Sequence, residues 1–236
     1  MATLIKRVLA VVDATALPIA LSFSGGYADA SSYLITSSFT GHITGNTILA
    51  ALAVGSGDVH TLLIRLVAIA CFCAATYAGL LFAAKNSDDL TAITAMTLVE
   101  CALVALAPVG IVVHAPGASL ILIVCLCFTL GMQNGVYRRI GHVGIHTTYV
   151  TGDLTNLLTA VAQRVSSFGK VKTSATERSM TTDVLTVWIA FASGSLAAGV
   201  SVHVLGARAV WLLVIPLVVA FIVSSNSKKG FEAKTD

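Results

Sequence analysis

Long apolar runs separated by short polar turns dominate the chain, and they predict helices that cross a membrane. The first half contains long apolar segments at residues 8–39, 60–84 and 90–113 and a short one at 44–54. The second half repeats that order, with long segments at 118–137, 183–205 and 208–223 and a short one at 151–165. A transmembrane helix needs about 20 apolar residues. We therefore expect six spans and two short helices that do not cross by themselves.

Two polar, glycine-rich stretches interrupt this pattern. They are the first motif, residues 26–46, and the second motif, residues 131–156. Each begins with a glycine followed three residues later by Asp29 or Asn134, and each contains Thr-Gly-Asn or Thr-Gly-Asp before a short apolar run. A repeated polar interruption of membrane spans is typical of a transporter binding site. We also expect the first span to break at its Ser-Gly-Gly sequence, residues 24–26, where glycines allow a kink.

The distribution of basic residues predicts the topology. If the short segments are re-entrant, nearly all Lys and Arg residues outside the spans lie on one side, which favours six spans with both termini in the cytoplasm. Three spans per half is odd, so the halves form an inverted repeat, 1–114 and 115–225, followed by a cytoplasmic tail at 226–236. We interpret the N-terminal apolar stretch as part of the first span rather than a signal peptide, because Asp13 interrupts it.

The composition agrees with an all-α integral membrane protein. Hydrophobic residues make up 56% of the chain and charged residues 11%, against about 25% charged residues in soluble domains. No basic stripe indicates nucleic-acid binding, and no cofactor or metal motif stands out. His142 and His146 are too few and poorly placed for zinc. Because no catalytic motif occurs either, we expect a protein that is not an enzyme.

The two short helices provide candidate substrate ligands. Thr, Asn and Asp are good helix N-caps, and a half-helix that begins inside the membrane directs its positive end toward the centre. Two such ends, related by inversion, would favour a small anionic or polar solute. The alternative is that the triplets are only caps. The predicted binding residues are Asp29, Thr44, Gly45, Asn46, Thr47, Gln133, Asn134, Thr151, Gly152, Asp153 and Asn156.

Three ionisable residues are candidates for proton coupling: Asp29, Glu100 and His42. Acids within spans are costly and commonly functional. Asp29 has a structural alternative, in which it accepts hydrogen bonds from the backbone of its own broken helix. For Glu100 the alternative is pairing with Arg65 or a polar neighbour. Small residues predict close helix packing in two segments, at Ala74, Ala75, Ala78 and Gly79 and at Ser195 and Gly199.

The motif sequences GYADA…FTGHITGN (26–46) and GMQNG…TTYVTGDLTNL (131–157) resemble the YoaK-type family of bacterial six-span membrane proteins. The resemblance covers nearly the whole chain and implies a multi-pass protein of the bacterial inner membrane. It implies no substrate, because the family is catalogued as a domain of unknown function. Asp153 departs from the family pattern, in which a small or hydroxyl residue is expected.

Together these features predict a small secondary transporter or channel-like carrier, embedded in lipid, for a small-molecule or ion substrate. The alternative is a membrane interaction protein in which the polar motifs only join helices; a membrane-embedded enzyme ranks below both. Cysteine accessibility at positions 44–47 separates the first two hypotheses, since only a wet cavity admits aqueous reagents. A homodimer is compatible with the sequence, which does not determine the oligomeric state.

Overall fold

The computed structural model describes residues 2–85, 89–137, 155, 158, 159, 162 and 175–232. Helices make up almost all of this part of the chain, and no strand occurs in it. The α-helices are α1 (Ala2–Thr36), α2 (Ile43–Ser56), α3 (Val59–Lys85), α4 (Asp89–Leu106), α5 (Val109–Val112), α6 (Ala118–Val136), α7 (Ala175–Leu205) and α8 (Val214–Glu232), with a 3-10 helix (Gly206–Leu213) between the last two. The predicted all-α class is therefore confirmed.

Four apolar stretches are long enough to cross a bilayer. They are Val59–Lys85, Thr91–Val112, Ala118–Val136 and the 45-residue stretch Thr182–Asn226. Large apolar side chains also cover the outer surface, including Leu52, Leu98, Leu196 and Ile215, each more than 60% exposed. A helix that is apolar on its outer as well as its inner face is typical of a membrane span. The chain is accordingly a multi-pass membrane protein.

The helix bounds match most predicted segments, with differences at two turns. Segments 60–84 and 118–137 correspond to α3 and α6. Segment 90–113 is divided at Pro108 into α4 and α5, since proline has no N–H to continue the hydrogen-bond ladder. Segment 208–223 begins as the 3-10 helix after Gly206, whose φ of 59° only glycine adopts readily.

The predicted break at residues 24–26 is wrong. Helix α1 continues through this sequence to Thr36. Gly26 is needed for packing rather than for a kink: a Cβ at this position would overlap the backbone carbonyl of Phe191 in α7. Gly194 in α7 lies as closely against the carbonyl of Phe23. The glycines therefore bring two helix backbones together, as small residues do in membrane bundles.

Helices α1 and α7 pack in parallel along this contact. The Ser195 hydroxyl donates to the carbonyl of Gly26 at 3.2 Å, and the Tyr27 hydroxyl lies 2.6 Å from that of Ser201. The predicted packing role of Ser195 is thus confirmed. That of Gly199 is wrong, because a Cβ there would meet nothing within 4 Å.

Helices α3 and α6 form a second parallel pair, again through small residues. A Cβ on Gly131 would lie 2.6 Å from the carbonyl oxygen of Phe72 and 2.7 Å from the Cβ of Ala75. Farther along both helices, a Cβ on Gly79 would lie 2.8 Å from the carbonyl oxygen of Met132. The small-residue face predicted for α3 is therefore confirmed at Ala75 and Gly79, whereas Ala74 and Ala78 are exposed.

Helices α4 and α8 complete the bundle as an antiparallel pair. The Thr94 hydroxyl donates to that of Ser224 at 3.0 Å near one end. At the other end the indole N–H of Trp211, just before α8, donates to the carbonyl of Ala105 at 3.0 Å. The apolar core lies between the three pairs and includes Leu122 and Leu217, both fully buried.

Helix α2 is a short hairpin partner of α3. Its 14 residues rise about 21 Å, whereas the 27 residues of α3 rise about 40 Å. The two helices contact each other and are joined only by Gly57 and Asp58, so they run antiparallel. The beginning of α2 is therefore level with the middle of α3, where Ile43 packs against the cluster that contains Ala68 and Phe72.

Candidate functional site at an interrupted helix

The chain is non-helical at residues 37–42, which we call the interruption. Helix α1 ends at Thr36, and Ser37 turns the backbone with a φ of 56°, in the left-handed region. Helix α2 begins six residues later, level with the middle of α3. Non-helical backbone at membrane depth must be buried in protein or line a wet cavity. The contacts of the interruption show how the protein satisfies its polar groups.

Asp29 of α1 holds the second half of the interruption. One carboxylate oxygen, Oδ1, accepts the backbone N–H of Thr40 at 2.7 Å, that of Gly41 at 2.7 Å and that of His42 at 3.4 Å. It also accepts the Thr40 hydroxyl at 3.3 Å. Asp29 is only 6% exposed. Asp29 therefore has the structural role of accepting backbone N–H groups, but from the interruption and not from its own helix, which is unbroken. Its negative charge lies next to the positive beginning of α2.

Asn46 of α2 holds the first half of the interruption. Its Oδ1 accepts the backbone N–H of Phe39 at 3.1 Å, and its Nδ2 donates to the carbonyl of the same residue at 2.7 Å. Gly45 permits this approach, since a Cβ there would lie 2.8 Å from the His42 ring and 3.0 Å from that of Phe39. Asn46 is fully buried. Two predicted ligands, Gly45 and Asn46, therefore shape the interruption itself.

The two threonines at the beginning of α2 face away from the contact between Asn46 and Phe39. Thr44 and Thr47 are exposed, and the Thr47 hydroxyl donates to the carbonyl of Ile43 at 2.9 Å. The predicted capping role of Thr44 is wrong: His42 occupies the N-cap position of α2, without a side-chain cap bond. The Asp29 carboxylate binds the N–H groups just before the helix instead.

An aromatic stack covers one side of the interruption. The rings of Tyr33 and Phe39 stack at 4.5 Å, and Phe39 lies 5.4 Å from the His42 ring. Arg65 of α3 lies in the neighbourhood of Tyr33. Its side chain is 5% exposed, and among the described residues its Nε and Nη1 have no hydrogen-bond partner. A buried guanidinium with unused donors therefore lies close to the stack.

Helix α6 forms the opposite wall. A Cβ on Gly41 would lie 2.9 Å from the Leu130 side chain, so the interruption packs directly on α6. Gln133 is fully buried and donates from Nε2 to the carbonyl of Leu21 in α1 at 3.0 Å. Asn134 is partly buried. Gln133 thus joins α1 to α6.

Glu100 lies apart from the interruption, on α4. It is 1% exposed, and neither carboxylate oxygen has a hydrogen-bond partner within the part of the chain that the structure describes. The alternative in which Glu100 pairs with Arg65 is thus not realised. Of the three candidates for proton coupling, Asp29 is bound by backbone N–H groups, His42 is exposed, and Glu100 is buried alone.

The family comparison agrees with the fold. The family described as "Protein of unknown function (DUF1275)" matches residues 17–223. The chain belongs to this family. It is also similar to the UPF0700 transmembrane protein YoaK of Bacillus subtilis (strain 168), with 27% identity over 154 residues, 61% of this chain and 66% of that protein. The match spans just under two thirds of the relative, and no solved structure matches the chain. The YoaK-type resemblance is confirmed.

The second motif of this family member contains the remaining predicted ligands. Thr151, Gly152, Asp153 and Asn156 lie outside the described residues, so their contribution stays a prediction. In the first motif, sequence reasoning missed the central role of Phe39, whose backbone Asn46 binds. It also placed Arg65 only within a span; the sequence signal for that residue was a lone arginine in an apolar helix.

Proposed function

We propose that this protein is a small secondary transporter or channel-like carrier for a small anionic solute. The interruption carries the proposal. It is a buried break at the depth of the middle of α3, bounded by a helix too short to cross, and discontinuous helices of this kind build the central sites of many transporters. In this proposal α1 is a span, and α2 is a re-entrant half-helix that begins after residues 37–42, near mid-membrane.

The three helix pairs support an inverted repeat. Helix α1 packs on α7 as α6 packs on α3, both in parallel, while α4 and α8 pack antiparallel. Exchanging α1 with α6, α3 with α7 and α4 with α8 gives the same three helix pairs. Gly26 and Gly131 also occupy corresponding positions, against Phe191 and Phe72 respectively. Such an arrangement would place the second motif opposite the interruption.

Arg65 supports the choice of an anion. The positive beginning of α2 is already compensated by the Asp29 carboxylate, so it offers little to a second anion. Among the described residues, nothing accepts a hydrogen bond from Nε or Nη1 of the buried Arg65, and its planar fork matches a carboxylate or an oxyanion. Arg65 also lies in the neighbourhood of Tyr33, a member of the stack that covers the interruption.

Thermal unfolding in detergent tests this function. The purified protein is heated with a panel of inorganic oxyanions, carboxylates, amino acids and nucleobases; a compound that binds only the folded state raises its unfolding temperature with concentration. We expect one of the anions to raise the unfolding temperature, and we expect Arg65→Gln to abolish this effect. Proteoliposomes that contain the protein should accumulate the same anion. Arg208→Gln is the matched control, because Arg208 is exposed. A hit that survives Arg65→Gln contradicts the proposed site, and a blank panel with no uptake contradicts transport.

One observation favours a second candidate, a membrane protein that joins helices without transport. Asp29 and Asn46 use their polar atoms for internal hydrogen bonds, as packing residues do. Single cysteines at Thr44 and at buried Ala50, in a chain without the five native cysteines, separate the two candidates. The transporter requires that a membrane-impermeant maleimide label position 44 and not position 50. Protection of both positions favours the second candidate.

Orientation is part of the same proposal. The antiparallel contact of α4 with α8 places the beginning of α4 and the end of α8 on one side. Lys85 precedes α4, and Lys228 and Lys229 lie near the end of α8. The positive-inside rule assigns this side to the cytoplasm of a bacterial inner membrane. Reporter fusions at both termini test the assignment, and a homodimer stays a prediction.

A further inference from the structure

Glu100 is the most isolated ionisable side chain in the described bundle. It lies on α4, eleven residues after Asp89, which places it about 17 Å along the helix, near mid-membrane if α4 begins at the interface. The side chain is 1% exposed, and neither carboxylate oxygen has a hydrogen-bond partner among the residues that the structure describes. An ionised carboxylate without partners is strongly disfavoured in such surroundings, so the side chain is expected to hold a proton.

The surroundings of Glu100 are apolar on both sides along α4. Met96, one turn earlier, packs in the cluster with Leu17 and Leu21, and Val104, one turn later, packs in the central core. The segments that contact α4 are α3, α5, α6, α8 and the 3-10 helix. Their titratable residues, with described side chains, are His60, Arg65, Cys71, Cys73, Tyr77, Lys85, Cys125, Cys127 and Arg208. None of them hydrogen-bonds to the Glu100 carboxyl.

A line of hydroxyl groups approaches Glu100 from one side only. Thr94 and Thr97 precede it at three-residue spacing, so the three side chains share one face of α4. Thr97 is fully buried, and Thr94 contacts the buried Ser224 of α8 at 3.0 Å. Beyond Glu100 the chain continues with Val104 near the end of α4 and Ala107 just after it, both buried and apolar. Among the described residues of α4, hydroxyl groups therefore approach the acid from the Asp89 end.

We propose that Glu100 is the residue at which this carrier takes up and releases its coupling proton, through the Thr94–Thr97 face, and that Asp29 has no part in proton transfer. Proton coupling presupposes transport, so this proposal rests on the transport function proposed above. Its test needs no transported substrate. The two acids have different roles. Asp29 keeps the interruption folded as a hydrogen-bonded carboxylate, whereas neither carboxylate oxygen of Glu100 accepts a hydrogen bond from a described residue.

Infrared spectroscopy of the purified full-length chain in lipid tests this assignment. A protonated carboxylic acid absorbs above the amide I region, and its band shifts down in D₂O only when its proton exchanges with solvent. We expect such a band at neutral pH, its loss in Glu100→Gln, and its persistence in Asp29→Asn. The band should shift in D₂O without unfolding. Thr97→Val, which removes the nearest hydroxyl while keeping the side-chain shape, should slow that shift.

Each outcome decides the proposal independently of any substrate. A band that Glu100→Gln leaves unchanged, or one that Asp29→Asn abolishes, overturns the assignment to Glu100. A Glu100 band that never shifts in D₂O overturns proton exchange, because the proton is then permanently enclosed. Glu100→Asp is the second variant: it keeps the acid if Glu100→Gln fails to fold, and its shorter side chain should move the band without removing it. Failure of the ligand panel would leave these results intact.

Discussion

The backbone N–H of Gly41 lies 2.7 Å from the carboxylate Oδ1 of Asp29, twelve residues earlier in the chain. This contact joins α1 to the interruption across the point where the helix ends. It makes a buried acid the acceptor for N–H groups that no helix satisfies. The position of α2, and hence the shape of the candidate site, depends on it.

The first prediction concerns that carboxylate. Asp29→Ala leaves the N–H groups of Thr40 and Gly41 buried without an acceptor, which should lower the free energy of unfolding by at least about 2 kcal/mol. Asp29→Asn keeps an acceptor oxygen and should lose less. Denaturant titration in mixed micelles measures both values. Equal losses for the two variants would mean that the charge, rather than the acceptor geometry, holds the interruption.

The second prediction concerns Asn46, which binds both backbone polar groups of Phe39. Asn46→Ala removes a donor and an acceptor together, and should cost about 2–4 kcal/mol of unfolding free energy. Thr47→Ala is the control, since its exposed hydroxyl only returns to its own helix. A destabilised Asn46→Ala that still binds the panel hit with unchanged affinity would show that this amide does not contact solute.

The third prediction separates packing glycines from the others. Gly26→Ala forces α1 away from α7 and should cost about 1–3 kcal/mol of stability. Gly199→Ala meets no neighbouring atom within 4 Å, and should stabilise α7 by about 0.5–1 kcal/mol. Each variant adds one methyl group, Gly26→Ala on α1 and Gly199→Ala on α7 of the same helix pair. Thermal unfolding at matched detergent concentration compares them, and a tolerated Gly26→Ala would contradict the close contact.

The fourth prediction is a pH dependence at the turn between α2 and α3. The Thr61 hydroxyl donates to Asp58 at 2.6 Å, and the Thr61 backbone N–H donates to it at 3.0 Å. These hydrogen bonds hold the pKa of the Asp58 carboxyl below its usual range. Its stabilising effect is therefore present above the pKa of the unfolded chain, and is lost as the pH falls through the lower pKa of the folded protein.

Comparison with two variants checks that pH dependence. Asp58→Ala should unfold at a lower temperature than the native chain near neutral pH. The difference should shrink in acid, where protonation of Asp58 also weakens its hydrogen bonds with Thr61 in the native chain. Asp58→Asn keeps an acceptor and removes the charge, so the effect of this side chain should no longer vary with pH. A native-to-alanine difference that is constant down to strongly acidic pH would contradict the role of the carboxylate.

Particular residues show how far sequence reasoning reached. The bounds of α3 and α6 followed from apolar length and polar turns, because a bilayer requires about 20 apolar residues whatever the neighbours are. The short helix α2 followed from the same rule. The break predicted at residues 24–26 is absent, whereas the predicted gap between segments 8–39 and 44–54 lies close to the interruption at residues 37–42. A glycine pair permits a kink and close packing equally, and only the position of α7 decides between them.

The sequence by itself determined that the chain is a helical membrane protein, where most helices lie, and that a polar stretch separates α1 from α2, because hydropathy and helix length are local properties. The tertiary structure decided what each polar residue of that stretch does. Asp29 and Glu100 are both acids in apolar helices, yet one accepts backbone N–H groups and the other has no partner among the described residues. That difference depends on which backbone approaches each side chain from another part of the chain, and long-range packing alone sets that approach.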